Sequence, residues 1–285
     1  MQTLRITKKL PWNNLGRDFV MGDLHGSLSS VKIALSHVKF DATVDRLFLV
    51  GDLIDRGLDS FGCLSLLKEP WCHAVMGNHE FVMLAAYRFP DNPSTPRWIR
   101  DNAMWFSSND GRWINQYLDD QLDPVPALAE LLDLVEDLPA ILVVDSGTQR
   151  FNVVHAELMF PMTDIHIDHL DETMDVFHRS MDNNYQHFLW NRELAYTENP
   201  PAVQKGLSTT FCGHSISGEV KTYFSHICLD TGAYQSEIDE LDGFSLTMAD
   251  AKTGELVLKV VFGEDVIDYR EDELSVEQEF CQSHQ

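Results

Sequence analysis

Positive charge is scarce in this chain. Twenty-one Lys and Arg stand against 45 Asp and Glu in 285 residues, for a formal net charge of −24. A surface this negative repels a phosphate backbone at long range, which argues against nucleic acid as a partner. Cysteine is sparse too. There are five, none in a C-x-x-C pair, which argues against a disulfide framework and for a reducing compartment. No apolar run approaches the length of a membrane span, and the opening MQTLRITKKLPWNN has no apolar stretch fit for a secretory signal. The expectation is a soluble, cytoplasmic protein without a membrane partner. Ser/Gly linkers, low-complexity blocks and breaks in composition are also missing, so residues 1–285 read as one domain.

What the chain does have is apolar residues, 44% of the total, enough for a substantial core. They recur in one arrangement. Phe19-Val20-Met21 runs into Gly22-Asp23, Arg46 to Val50 into Gly51-Asp52, Cys72 to Met76 into Gly77-Asn78, and Thr209 to Cys212 into Gly213-His214. Each is a β-rich run, then glycine, then a polar residue able to hold a metal. Continuous apolar runs suit strands covered on both faces. Helical patterns follow the first three, near residues 27–37, 61–67 and 80–87, and a longer one at 126–137 places Leu128, Leu131, Leu132 and Val135 on one face. Strand, loop, helix, strand marks α/β units with crossovers. The later chain is richer in strands, at 141–144 and 151–154 around the turn Asp145-Ser146-Gly147-Thr148, then at 227–229, 244–248 and 256–261. The last two flank Thr253-Gly254 and are expected to pair. The fold class expected is α/β (α+β), with two packed mixed sheets forming a β-sandwich flanked by helices. A Trp-rich helical insert at about 88–138 and an acidic C-terminal tail at about 264–285, disordered towards its end, complete the expected organisation.

In open α/β sheets, ligands bind beyond the carboxyl ends of the strands. Those ends carry Asp23 with His25, then Asp52, Asn78 and His214, and a fifth run, Asn152-Val153-Val154, ends on His155. If the ends converge, the set mixes carboxylate, amide oxygen and imidazole, which suits Mn, Fe or Zn better than calcium. Six ligands are too many for one tetrahedral ion and suit two ions about 4 Å apart sharing a carboxylate. His166 and His169 are rivals to His155, but they sit in a polar, acidic stretch, whereas His155 follows a clean strand.

The blocks GDLHG (22–26), GDLIDRG (51–57) and GNHE (77–80) resemble, in order and spacing, the signature of the calcineurin-like metallophosphoesterases. GDxxDRG with GNHE is similar to the serine/threonine protein phosphatase branch. WNRE (190–193), the strand end at His155, Gly213-His214 and LDTGA (229–233) resemble its smaller bacterial and phage subgroup, typified by the bacteriophage lambda protein phosphatase. The segment 88–100 and the tail after Gly263 do not match that subgroup.

The resemblance implies residue roles. Asp23, His25 and Asp52 hold one divalent ion, Asp52 bridges, and Asn78, His155 and His214 complete a second site. Mn2+ is the favoured ion, with Fe or Zn as alternatives. Arg56 and Arg192 grip phosphate oxygens, as guanidinium forks do. His79 is the general acid and Asp55 orients it. The implied activity is hydrolysis of phosphoserine and phosphothreonine in proteins or peptides, with phosphotyrosine and aryl phosphates as further substrates. A metal-bridging hydroxide would attack directly, without a covalent phosphoenzyme. The alternative within the same fold is a dinucleoside tetraphosphate hydrolase, whose phosphoanhydride leaving group needs less help from an acid. Read on their own, Arg56 could pair with Glu80, Asp230 reads as a residue supporting the metal ligands, and Trp98, Trp105 and Trp113 read as core packing or a substrate wall.

Overall fold

The computed structural model describes residues 7–88, 111–158, 185–198, 207–238, 241–261 and 265–270. Pro90, Pro93, Pro96, Trp98, Trp105, His166, His169 and most of the acidic tail lie outside that set.

Two six-stranded mixed sheets form the body. β2 (Asp18–Met21), β3 (Arg46–Leu49) and β4 (Cys72–Ala74) are parallel neighbours. α1 (Leu28–His37) connects the first two, and α2 (Ser60–Ser65) with a 3-10 turn (Leu66–Lys68) connects the next. α3 (Asn78–Tyr87) follows β4 directly. The second sheet is centred on β5 (Ile141–Asp145), β6 (Arg150–Val154), β7 (Thr209–Cys212) and β9 (His226–Cys228). Within it β6, β7 and β9 run parallel. Five of these parallel strands, β2, β3, β4, β6 and β7, therefore present their carboxyl ends to the site loops.

Strand alternation sorts the core into two layers. Val20, Phe48 and Val50 of the first sheet meet Leu142, Val144, Phe151, Val153 and Phe211 of the second. Phe48 packs edge-on against Phe151 at 5.2 Å between ring centroids. The alternate residues, Phe19, Met21, Leu47 and Leu49, face the outer core, where Val31, Ala34, Cys63 and Leu64 of α1 and α2 lie. That double coverage is why these strands read as unbroken apolar runs. At the mouth of β2 and β3, Asp18 is fully buried and accepts both Nε and Nη2 of Arg46, its register partner.

The observed elements extend and redistribute those expected from the sequence. α4 (Pro126–Glu136) starts on proline and buries Leu128, Leu131, Leu132 and Val135. Of the insert at 88–138, the described part holds α4 and a 3-10 segment, Arg112–Tyr117. The pair β10 (Leu246–Asp250) and β11 (Leu256–Val260) is antiparallel as expected, but β10 joins β2 of the first sheet. β1 (Thr7–Pro11) is parallel to β5 of the second. β8 (Lys221–Tyr223) and β12 (Val266–Asp268) add edges. β12 falls inside the stretch read as acidic tail. Asp268 is held there by Arg270 and by His37 Nε2 at 2.8 Å, so its acidity is balanced locally and the strand forms. β1, β8 and β12 escape sequence reading because they are short and partly polar; pairing at an edge, not propensity, makes them strands.

Phe48 touches both sheets and has no solvent exposure. Phe48→Ala is expected to cost about 3–5 kcal/mol in stability, read as a lower midpoint in denaturant unfolding followed by intrinsic fluorescence.

Candidate metal centre

Each site loop begins where a strand ends, and the loops turn through uncommon backbone. His25, Asp52, Asp55, Arg56 and His214 all have positive φ, between 42° and 71°. Such conformations cost of order 1–3 kcal/mol each and cluster where side chains must be aimed. Glycine makes the close approaches feasible. A Cβ on Gly213 would sit 1.8 Å from Asp23 Oδ1, and one on Gly77 would sit 2.2 Å from the Asp52 amide nitrogen.

Asp52 lies at the centre. Its Oδ2 faces His25 Nε2 at 3.6 Å and His79 Nε2 at 3.8 Å, while its Oδ1 faces His155 Nε2 at 3.4 Å. His25 Nδ1 donates to the Ile54 carbonyl and His155 Nδ1 to the Val50 carbonyl, both at 2.8 Å. These bonds place the ring protons on Nδ1 and leave the Nε2 lone pairs aimed at the centre. Asn78 Oδ1 lies 2.9 Å, and His214 Nδ1 3.2 Å, from His155 Nε2. Asp23 accepts the backbone N–H of His214 on both oxygens, at 3.0 and 3.2 Å.

Two groups result, His25–Asp52–His79 and Asp52–His155–His214, and Asp52 belongs to both. These groups hold four of the six residues expected as ligands, together with His79, while Asn78 reaches His155 and Asp23 the His214 backbone beside them. Burial, then the neighbouring Arg56 and His79, push His25 far below the usual imidazole range. Burial and His155 take His214 down to about 2. Burial, then Asp230 and Asp52, drive Asp23 upward, and burial raises Asp230 to about 7. Burial opposes the charge on Asp52, but His155, His79, His25 and His214 outweigh it and hold that carboxylate well below the ordinary range. Neutral imidazole lone pairs and mutually burdened carboxylates converging on one buried point fit a divalent cation.

The remaining expected residues surround this point. His79 Nδ1 donates to Asp55 Oδ2 at 2.6 Å. Burial pulls His79 down, but Asp52 and Asp55 outweigh it and its pKa is raised. Arg56 donates to Nε2 of His25 at 3.0 Å and of His79 at 3.2 Å. Arg192 Nη1 reaches the hydroxyls of Ser215 and Tyr196, both at 3.4 Å.

Glu80 has a different partner from the one considered for it. It does not pair with Arg56. Its carboxylate accepts the backbone N–H groups of Asp52, Leu53 and Gly77 at 2.8–3.1 Å, binding the ends of β3 and β4 to each other.

Three contributors are given no place in the site by the sequence. Tyr234 lies under the Arg56 guanidinium, 5.0 Å from ring centroid to Cζ, and meets the His25 ring edge-on at 5.4 Å. Glu157, buried two residues beyond His155, accepts Asn191 Nδ2, Leu194 N and Ala195 N at 2.8–3.0 Å. It anchors the segment bearing Arg192. Trp113 Nε1 donates to Asp55 Oδ1 at 2.8 Å. Only the spacing of Glu157 from His155 hints at a local role.

The family model for calcineurin-like phosphoesterases matches residues 19–237, a span that includes every residue named in this site. Serine/threonine-protein phosphatase 2 of Salmonella typhimurium is 27% identical over 220 residues, 76% of this chain and 88% of its own. The symmetrical bis(5'-nucleosyl)-tetraphosphatase of Pseudomonas putida is 45% identical over 74 residues, 25% of each chain. Among solved structures, a putative diadenosine tetraphosphatase superposes with a TM-score of 0.53 at 18% identity, covering 92% of this chain and all of the other; the likeness is one of fold.

Because one carboxylate serves both halves of the cluster, its loss should be felt by any bound ion. Asp52→Asn is expected to weaken Mn2+ binding by more than about 100-fold, since even supporting partners of metal ligands are worth about 10–100-fold. Calorimetric titration of metal-free protein measures it.

Proposed function

Because this chain belongs to the calcineurin-like phosphoesterase family, we propose that it is a metal-dependent phosphoprotein phosphatase acting on phosphoserine and phosphothreonine, and more slowly on phosphotyrosine and aryl phosphates. The observation that carries this reading is Asp52, whose two oxygens face separate ligand groups while a buried acid pair, His79–Asp55, stands alongside. The likeness to a bacterial serine/threonine-protein phosphatase over most of both chains supports a phosphoprotein as substrate. All the named residues lie on one two-sheet body, which supports reading the chain as a single catalytic domain. The described cysteines are all free and buried, and none of the described helices is long and apolar enough to cross a membrane; both fit a cytoplasmic enzyme.

Asp23, His25 and Asp52 would hold one ion, and Asn78, His155 and His214, sharing Asp52, a second; Mn2+ suits this donor set, with Fe or Zn as alternatives. Bound there, the ions supply charge neutralisation for the phosphoryl group and a water acidic enough to react near neutral pH.

The chain's own residues do the rest. Arg56 and Arg192 take the phosphoryl oxygens, and substrate displaces Arg56 from its contacts with the two histidines. Water adds to phosphorus and the P–O bond to the substrate alcohol breaks. Once Arg56 has moved away, His79, held at Nδ1 by Asp55, takes a proton from solvent on Nε2 and gives it to the departing oxygen. The proton lost by the attacking water restores the ring through solvent. The reaction needs no covalent intermediate.

The match to a dinucleoside tetraphosphatase over 74 residues supports the second reading, a phosphoanhydride hydrolase. An acid pair as complete as His79–Asp55 matters most for an alkoxide leaving group, which favours the monoester. Protein stripped of metal should be inactive, and Mn2+ should restore a kcat/KM for a phosphoserine peptide that exceeds the value for diadenosine tetraphosphate. Activity undiminished after chelation and dialysis, or the reverse order of substrates, rejects the proposal.

Glu157 offers a separate check on the Arg192 assignment. Hydrogen bonds to a charged group are worth about 1.5–3 kcal/mol, so Glu157→Ala, which frees the Arg192 segment, should raise KM for phosphate esters by about tenfold or more with metal content unchanged. Steady-state kinetics beside metal analysis reads both.

A further inference from the structure

Among the described residues between α3 and α4, Trp113 reaches into the site. We propose that Trp113 is a positioning residue for proton donation: its indole N–H locks Asp55, and Asp55 in turn fixes His79. This rests on the phosphatase reading above.

The geometry is a chain of two hydrogen bonds through one carboxylate. Asp55 Oδ2 holds His79 Nδ1 at 2.6 Å, and Oδ1 accepts Trp113 Nε1 at 2.8 Å. Asp55 has no solvent exposure, so an oxygen without a donor would carry a desolvation cost of about 1–3 kcal/mol. Its backbone leaves little freedom to compensate. The residue sits at φ 71° and donates its own N–H to Ser60 Oγ. With both oxygens engaged, the plane of the carboxylate is set, and with it the plane of the imidazole.

The chemistry of the donor matters. An indole N–H is neutral and only donates. It satisfies Oδ1 without bringing a second positive charge, so the negative charge of Asp55 remains opposite His79. A lysine or arginine in that place would compete for it. Water would satisfy the oxygen but could exchange and rotate.

Trp113 is itself seated. Its ring lies 6.0 Å from Tyr117, and Tyr117 stacks face to face on Phe61 at 4.1 Å. Ile114 beside it is fully buried. Phe61 belongs to α2, whose first residue is the Ser60 that receives the Asp55 amide. The insert and the Asp52–Asp59 loop therefore share one support, and the indole cannot shift without disturbing both.

A proton donor helps a poor leaving group and scarcely helps a good one. The test compares phenyl phosphate with p-nitrophenyl phosphate at saturating Mn2+, using wild type, Trp113→Phe, His79→Asn and the double variant. Phenylalanine keeps the ring in the stack and removes the N–H. General acids contribute about 10²–10⁴-fold, so the kcat loss in Trp113→Phe should be at least about tenfold larger on phenyl phosphate than on p-nitrophenyl phosphate. In the His79→Asn background the substitution should add less than about twofold. Equal losses on the two substrates, no loss on either, or a loss undiminished without His79 would overturn the proposal. Wild type that cleaves neither ester rejects the phosphatase reading and this proposal with it, whereas wild type that cleaves both isolates Trp113. Should Trp113→Phe fail to fold, Tyr117→Leu unseats the indole while keeping its N–H, and the same comparison must again show a selective loss on phenyl phosphate.

Discussion

The placement of one carboxylate governs the architecture. Asp52 must stand where two parallel strands and a second sheet all deliver ligands, turned so that each oxygen meets a different group. Its backbone is left-handed, an uncommon conformation that aspartate adopts more often than most residues. Glu80 holds it there. By taking the amides of Asp52, Leu53 and Gly77, it spends a buried carboxylate on backbone rather than on a cation. Burial and the nearness of Asp52 raise its pKa to about 8.

The two sheets meet this requirement from opposite sides. The first contributes Asp23, His25, Asp52 and Asn78 from loops after β2, β3 and β4. The second contributes His155 and His214 after β6 and β7. Phe48 and Phe151, which meet between the layers, stand four residues before Asp52 and His155 on the strands that lead to them, so core packing bears on ligand spacing. A change in the distance between sheets would separate Asp52 from His155 before it disturbed either half alone.

How much of this is legible in the sequence depends on range. Asp23, His25, Asp52 and Asn78 are legible because each stands one or a few residues past a glycine that ends an apolar run, and the regularity repeats. His214 is legible by the same rule, and His155 because it directly follows an apolar run without a glycine. Glu80, Glu157, Tyr234 and Trp113 are not, because what they do is decided by residues far along the chain: Glu80 by an amide 28 positions earlier, Glu157 by a segment more than 30 positions later, Trp113 by a carboxylate 58 positions before it. A glutamate in a helix or a tryptophan in an insert has many uses, and only packing selects among them. The strands β1, β8 and β12 fail for a related reason, since an edge can be built from polar residues as long as a neighbour offers its hydrogen bonds.

The exchange of chain ends between sheets bears on the order in which the molecule can be completed. Every proposed metal ligand has been synthesised by position 214, yet β2, the strand that leads to Asp23 and His25, has only β3 beside it until Leu246–Asp250 is made. β1, the first strand to emerge, waits for Ile141 before it has any neighbour. The nascent chain thus carries all six proposed ligands before β10 is made to flank β2 on its second side.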